Sequence, residues 1–283
     1  MRWLLVLFLL LGLLWFFVTQ NPRVPVYGGK ALTLWLQTYD PSSPFDNGSP
    51  EWSQTDDAVL HIGTNGMPVL LQMLGASDSE LTLQFVRLVQ RQRLMKIRFV
   101  PAMTQNIEAS RAFIVLGDAA KDAVPELIKL FDENHSFESQ AAIEDALSWI
   151  GPGAEPALPL LLGAATNVNH KVRANALWAL GEVHAEPQVC VPVLIHALSD
   201  TDNGTRLSAA HALGMFGSDA ESAIPALTKL SSPATFWGPM GFDQAMIEAQ
   251  NALRKINRPV VSSSGERAIE SEIPSFDPLD PPR

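Results

Sequence analysis

A proline recurs about every 33 residues, and this spacing constrains the fold of the chain more than any other sequence feature. Successive steps measure 33, 24, 34, 33 and 33 residues, and five of the six prolines have a leucine two positions later, while Pro101 has Met103. Proline in the first turn of a helix gives up no hydrogen bond, so each is predicted to mark a helix start. The six are Pro68, Pro101, Pro125, Pro159, Pro192 and Pro225.

A second pattern, upstream of the prolines, predicts a partner helix for each. Alanine stands thirteen residues before each of the last four repeat prolines, at Ala112, Ala146, Ala179 and Ala212. Apolar residues stand sixteen, twelve and nine residues before them, which places all these positions on one helix face. Such a helix pair cannot bury its apolar face alone, so the units are predicted to stack as an all-α solenoid. Glycines that suit a helix C-terminus follow, at Gly63, Gly117, Gly151 and Gly217, with His184 in the fourth unit.

One segment departs from the pattern. Residues 79–100 are interpreted as a degenerate unit in which Phe85, Leu88 and Val89 replace the small residues, and the 24-residue step after Pro101 predicts a shortened first helix. The segment is also basic, which suits either a solvated helix face or a contact with an acidic partner or anionic lipid. Its cations are Arg87, Arg91, Arg93, Lys96 and Arg98.

The string Arg206-x-x-Ala209-x-x-Ala212-Leu213, followed by Ala223-Ile224-Pro225-x-Leu227, resembles the HEAT-like repeats first described in phycobilisome lyases. The resemblance covers about 55–257 and implies an α-solenoid of HEAT-like helix pairs. HEAT-type repeats serve many tasks, so it implies little about function.

The segment before the repeats carries a second resemblance. Tyr27-Gly28-Gly29-Lys30-x-Leu32-x-x-Trp35-Leu36 is similar to a segment that precedes such repeats in uncharacterised, membrane-anchored or exported bacterial proteins. It implies no known chemistry. The spacing of Leu32, Trp35 and Leu36 predicts a short amphipathic helix that caps the first repeat.

The first 20 residues are predicted to form a signal anchor or transmembrane helix. Arg2 precedes a run from Trp3 to Val18 that contains no polar side chain. Such a helix spans about 24 Å, slightly less than a ~30 Å hydrocarbon core. No small-x-small cleavage pair follows it, so we expect the anchor to remain, with the repeats on the extracytoplasmic, periplasmic side. Secretion after signal cleavage is the alternative.

The remaining boundaries and partner classes follow from composition. Residues 21–54 are predicted to be a linker with the short capping helix, 55–257 the solenoid, and 258–283 a disordered, acidic tail rich in Pro and Ser. A net charge of -10 argues against a nucleic-acid partner. The six histidines form no metal-ligand spacing, so neither a metal nor a cofactor is expected. Cys190 occupies a position that is alanine in other units and is predicted to be a small core residue.

The helix before each proline is predicted to line the concave side, and its exposed positions give the candidate partner-binding residues. Trp178 is the principal anchor, because a large aromatic among polar groups often dominates binding. The alternative is that Trp178 packs on the neighbouring unit. The full set is Arg111, Asp145, Asn175, Trp178, Glu182 and His211.

Two further arginines recur nineteen residues before their prolines. Arg173 and Arg206 are interpreted as a ladder between repeats that bonds to loop carbonyls or to Asp200. The alternative is an anion-binding pair.

No nucleophile with a base, carboxylate pair or phosphate-binding loop is visible in the sequence. We therefore expect a non-catalytic scaffold that is anchored at a membrane and binds a protein or peptide. The alternatives are a lyase-like or chaperone-like HEAT protein that handles a small molecule or a modified protein, and a structural spacer.

Overall fold

The computed structural model describes residues 22–39, 50–92, 99–133, 136–232 and 244–257. These residues form a solenoid of helix pairs, as the repeat predicts. Within these ranges, no helix combines the length and apolar character that crossing a bilayer requires. The predicted anchor, 1–20, and the predicted tail, 258–283, lie outside the described residues.

Besides four 3₁₀ helices, the described ranges contain two short strands and thirteen α-helices. In chain order they are β1 (Val26–Tyr27), β2 (Lys30–Ala31), α1 (Leu32–Leu36), α2 (Pro50–Ile62), α3 (Met67–Leu74), α4 (Glu80–Gln92), α5 (Ala102–Leu116), α6 (Val124–Glu133), α7 (Phe137–Ile150), α8 (Leu158–Ala164), α9 (His170–Val183), α10 (Pro187–Ala197), α11 (Asn203–Phe216), α12 (Ile224–Leu230) and α13 (Gln244–Ile256).

The helices form two rows. The inner row contains α2, α5, α7, α9, α11 and α13, and the outer row contains α3, α6, α8, α10 and α12. From α5 to α13 each inner helix packs along the next, and each outer helix packs against the inner helix that follows it, whereas the outer helices barely contact one another. The inner helices are therefore closer together, which makes the inner row the concave side of the solenoid.

Small side chains allow this close approach. The four predicted alanines thirteen residues before the prolines are fully buried. Between α9 and α11 the contact is tighter still, because a Cβ atom on Gly181 would lie 2.6 Å from the Cα atom of Ala212. Gly214 approaches Ala252 of α13 in the same way, at 3.1 Å. The small residues of the repeat thus set the spacing of the inner row.

The turns inside the units follow the predicted pattern with one exception. Gly117, Gly151 and Gly217 have positive φ, and each begins a 3₁₀ turn that leads into an outer helix with proline at its second position. The fourth unit differs, because α10 begins at Pro187 and Pro192 lies inside it. The prediction that Pro192 starts a helix is therefore wrong.

The prediction of a degenerate repeat unit at residues 79–100 is also wrong. Pro101 caps the N-terminus of α5, which is an inner helix of full length, so it is not equivalent to the other repeat prolines. The carboxylate of Asp78 accepts a hydrogen bond from the backbone N–H of Ala102 at 2.9 Å. The chain thus returns to the place it left, and α4 packs over no more than a marginal area against any other described element. We conclude that α4 is an insertion between α3 and α5.

The arginine ladder is confirmed. The Arg173 guanidinium contacts Asp200 through Nη2 at 3.0 Å and through Nε at 3.1 Å, and it also donates to the carbonyl of Asn167 at 2.8 Å. In the next unit, Arg206 donates to the carbonyl of Asp200 at 2.9 Å. These bonds tie consecutive loops together, which leaves the arginines a structural role.

The predicted capping helix is present as α1, and Leu32 and Leu36 bury their side chains against the first repeat. A hairpin of β1 and β2, which the all-α prediction did not include, precedes it. Its turn uses Gly28 and Gly29, both with positive φ. The Trp35 indole N–H donates to the carbonyl of Tyr27 at 3.1 Å, which fixes the hairpin on the helix.

Candidate functional site

A groove of about 730 Å³ runs along the concave face from α5 to α11. Four of the six predicted binding residues line it, namely Arg111, Asp145, Asn175 and Trp178. The other two, Glu182 and His211, lie beside Trp178. The structure therefore brings the predicted residues to one face, and their role in binding stays a prediction.

Exposed apolar side chains concentrate in this groove. Met103, Ile114, Phe137 and Trp149 line it and are 52%, 45%, 43% and 45% exposed. Exposed apolar side chains that cluster in one place are typical of interaction sites. Phe137 and Trp149 are not among the predicted residues. Most of the predicted residues follow a row of positions fourteen residues before a repeat proline, namely Arg111, Asp145, Trp178 and His211, and both aromatic side chains lie off this row. Trp149 follows Asp145 by one helical turn, and that i, i+4 spacing could have identified it.

Asp145 and Asn175 form a polar pair in the wall of the groove. The side-chain amide of Asn175 donates to the Asp145 carboxylate at 2.8 Å and to the carbonyl of Ala141 at 3.1 Å. These bonds link α9 to α7 and fix the amide. Burial raises the pKa of the Asp145 carboxyl to about 7. The groove therefore contains a carboxyl group that is only partly ionised at neutral pH.

Trp178 is held by the next unit and still lines the groove. Its ring stacks on the imidazole of His211, with centroids 3.6 Å apart and planes 4° from parallel. The imidazole lies between two carboxylates, with Nε2 3.1 Å from Glu182 and Nδ1 3.3 Å from Glu248. These contacts join α9, α11 and α13 around one ring. Trp178 thus packs on the neighbouring unit and also lines the groove, and its contact with a partner stays a prediction.

Arg111 lies at the other end of the groove and is half-buried. Its guanidinium carbon is 5.2 Å from the centroid of the Trp52 ring of α2, within the range of a cation–π contact. This contact connects α5 to the first inner helix. Arg111 is thus held in place by Trp52 of α2, just as Trp178 is held by His211 of α11.

One carboxyl group near the groove has no evident partner. Glu144 is fully buried, and neither of its oxygens has a hydrogen-bond partner among the described residues. Burial first, and the neighbouring Asp145 carboxylate second, raise the pKa of Glu144 well above its ordinary value. The equivalent positions in the next two units are the buried Leu177 and Ala210. Glu144 therefore occupies a site that the next two units fill with apolar side chains and the preceding unit fills with the small Ser110.

Metal-ligating side chains and the single cysteine are the remaining groups with distinctive chemistry. The described residues contain no group of three or more His, Cys, Asp or Glu side chains arranged to hold a metal ion. Cys190 is buried, and burial, with a smaller effect of Glu186, raises the pKa of its thiol to about 11. It is a small core residue, as predicted.

Comparison with known proteins finds one matching family model and several similar solved structures. Residues 164–235 match the family model described as HEAT repeats. No curated protein matches the sequence. Similar solved structures include a designed armadillo repeat protein in complex with the peptide (KR)4, at 18% identity and a TM-score of 0.43, with 80% of this chain and 99% of that chain covered. Another is an engineered protein at 16% identity and a TM-score of 0.40, with 80% and 96% covered. The family match runs from the end of α8 past α12, so this part of the chain carries HEAT-type repeats, and stacked helix pairs of the same kind flank it.

Proposed function

We propose that the protein is a non-catalytic scaffold that binds a segment of a partner protein in the concave groove. The observation that supports this most directly is the concentration of exposed Met103, Ile114, Phe137 and Trp149 in one groove. Apolar anchors surrounded by polar groups are typical of the centre of a protein interface.

The extent of the groove favours a polypeptide over a small molecule. Its lining comes from the four inner helices α5, α7, α9 and α11. Since packed helices lie about 10 Å apart, four of them span roughly 30 Å. An extended segment of about ten residues covers that distance. The polar side chains along the way, such as Asn175 and Lys171, can contact its backbone or its charged groups.

The first prediction tests the two indole rings of the groove. Trp149→Ala and Trp178→Ala should each weaken binding of a partner recovered from detergent-solubilised membranes by about 2 kcal/mol or more, because truncation of a central anchor removes most of its contact area. Binding is to be measured by titration of the purified partner. Val189→Ala, on the outer helix α10, is the matched control and should leave the affinity unchanged.

Circular dichroism of the same variants distinguishes a loss of binding from a loss of the fold. Helical content should remain that of the unaltered protein, at least in Trp149→Ala, because this side chain is half exposed and does not stack on the next unit. Full affinity in both variants, with the fold intact, would contradict the proposed site. A variant of Val189 that loses the partner would place the interface on the convex side instead.

We further propose that residues 1–20 anchor the protein in a membrane, with the repeats outside the cytoplasm. The support is the apolar run from Trp3 to Val18 behind Arg2 and the lack of a cleavage pair after it. The second prediction is that the intact mass of the native protein, extracted with detergent, includes this segment. A mature N-terminus between Thr19 and Ala31 would show that the segment is a cleaved signal and that the protein is released.

A further inference from the structure

The inserted helix α4 carries an apolar stripe that the solenoid does not cover. Leu81 and Leu88 are seven residues apart, which places them on the same side of the helix two turns apart. Leu81 is 78% exposed and Leu88 is 54% exposed, and Leu81 is one of the most exposed apolar side chains among the described residues. No other described element packs on α4 over more than a marginal area. A helix with this composition is stable only if another phase or molecule covers the stripe.

The charge around α4 is opposite to that of the protein as a whole. From Glu80, the first residue of α4, to Ile107 the sequence contains five of the 20 Lys and Arg residues and one acidic residue, Glu80, whereas the net charge of the chain is -10. Arg87 lies on α4 itself, beside the apolar stripe, and is exposed. An apolar stripe flanked by cations in an otherwise acidic protein suits a surface that is both apolar and negatively charged. An anionic lipid bilayer has both properties.

The position of α4 agrees with such a surface. The chain leaves the solenoid after α3 and returns at α5, where the bond between Asp78 and Ala102 closes the insertion. The hairpin and α1, which are the first described elements of the chain, pack on α2, and Tyr27 of the hairpin contacts His61 near the C-terminal end of that helix. Both α4 and the N-terminal end of the described chain therefore belong to the first part of the solenoid, away from the groove residues of α9 and α11.

We propose that α4 binds the surface of an anionic membrane. It lies parallel to the bilayer, with Leu81 and Leu88 at the boundary between headgroups and acyl chains and with Arg87 beside lipid phosphates. No residue of α4 lines the groove, although the groove begins beside the insertion at Met103 of α5, and the contact does not require that residues 1–20 remain in the mature protein. It would hold the first unit against the membrane and direct the remaining units away from it.

An environment-sensitive fluorophore on α4 tests the proposal. In the full chain carrying Cys190→Ala, which places at this position the alanine of other units, Leu81→Cys and Leu88→Cys are each labelled with a nitrobenzoxadiazole dye. The proteins are mixed with phosphatidylcholine vesicles that contain or lack phosphatidylserine. Both labels should shift to shorter emission wavelengths with phosphatidylserine, and much less without it. The same dye on Val189→Cys, on the outer face of a distant unit, should not shift.

The charge contribution is tested by Arg87→Gln in the Leu88→Cys protein. Removing one cation near an anionic surface should raise the total lipid concentration needed for half the shift about fivefold, at a fixed phosphatidylserine content. Lys255→Gln, which makes the same charge change on α13, should have little effect. The proposal would be overturned if the emission of both α4 labels shifted no more than that of the Val189 label with either kind of vesicle. So would equal shifts in vesicles with and without phosphatidylserine, or a label already shielded in the absence of lipid, which would indicate a protein contact.

Discussion

Gly181→Ala is expected to destabilise the solenoid by about 1–3 kcal/mol, although alanine is the better helix former by about 1 kcal/mol. The added methyl carbon would lie 2.6 Å from the Cα atom and 2.8 Å from the Cβ atom of Ala212. Backbone atoms of a packed helix cannot rotate away as a flexible side chain can, so α9 and α11 must move apart. That movement also separates the rings of Trp178 and His211, which bridge the same two helices. The loss is to be measured by thermal and chemical unfolding.

Gly163→Ala provides the matched control, because the same substitution is made in a helix where there is room for it. No atom lies within 4 Å of the position that a Cβ on Gly163 would take, and the residue is exposed on α8. Alanine there should stabilise the protein by about 0.4–1 kcal/mol through the unfolded state. Gly214→Ala, with its nearest atom at 3.1 Å, should fall between the two. A Gly181→Ala variant as stable as the unaltered protein would mean that the inner helices are less closely packed than described.

Glu144→Leu is expected to stabilise the protein by about 1–3 kcal/mol at pH 7, because it removes a buried polar group that lacks a hydrogen-bond partner. Leucine is the residue at the equivalent position of the next unit, where Leu177 is fully buried. Glu144→Gln serves as the control. It replaces the carboxyl group with an amide that does not titrate but keeps a buried polar group, so it should gain less than Glu144→Leu. If Glu144→Leu were no more stable than the original, the carboxyl group would have a partner in the protein.

The gain should depend on pH in a defined direction. The pKa of Glu144 is raised by folding, so the folded state retains a proton that the unfolded state releases above about pH 4.3. The stability of the unaltered protein therefore falls as the pH rises from that value toward the pKa of the folded state. The advantage of both Glu144 variants should grow over the same range. Asp145, with a pKa of about 7, adds a fall of the same sign between about pH 4 and pH 7, which Asp145→Asn should remove.

The repeat could be predicted because it depends on local chemistry. Proline at the start of a helix, glycine at its end and alanine at a close helix contact each have a physical reason that acts within one unit. The insertion of α4 could not be predicted in this way. Pro101 follows Pro68 by 33 residues, the repeat length, although it caps an inner helix. Only the packing of α5 directly after α3 shows that α4 is outside the stack.

The candidate site was predictable in part for a similar reason. Equivalent positions of stacked helices form a row, so Asp145, Trp178 and His211 could be placed on one face. The surroundings of those residues could not. The contact between His211 and Glu248 depends on α13, whose unit lacks the downstream proline that sets the register elsewhere. The absence of a partner for Glu144 is a property of three-dimensional packing and has no signal in the sequence.

The difference between the two helix rows has a mechanical consequence. The inner helices already touch through glycine and alanine, so they cannot move closer together, whereas the outer helices barely contact one another. Bending that brings the outer helices together is therefore resisted much less than bending that compresses the inner row. The solenoid should therefore resist an increase in its curvature more strongly than a decrease. It can flatten to admit a bulky ligand in the groove, but it cannot close further around a thin one.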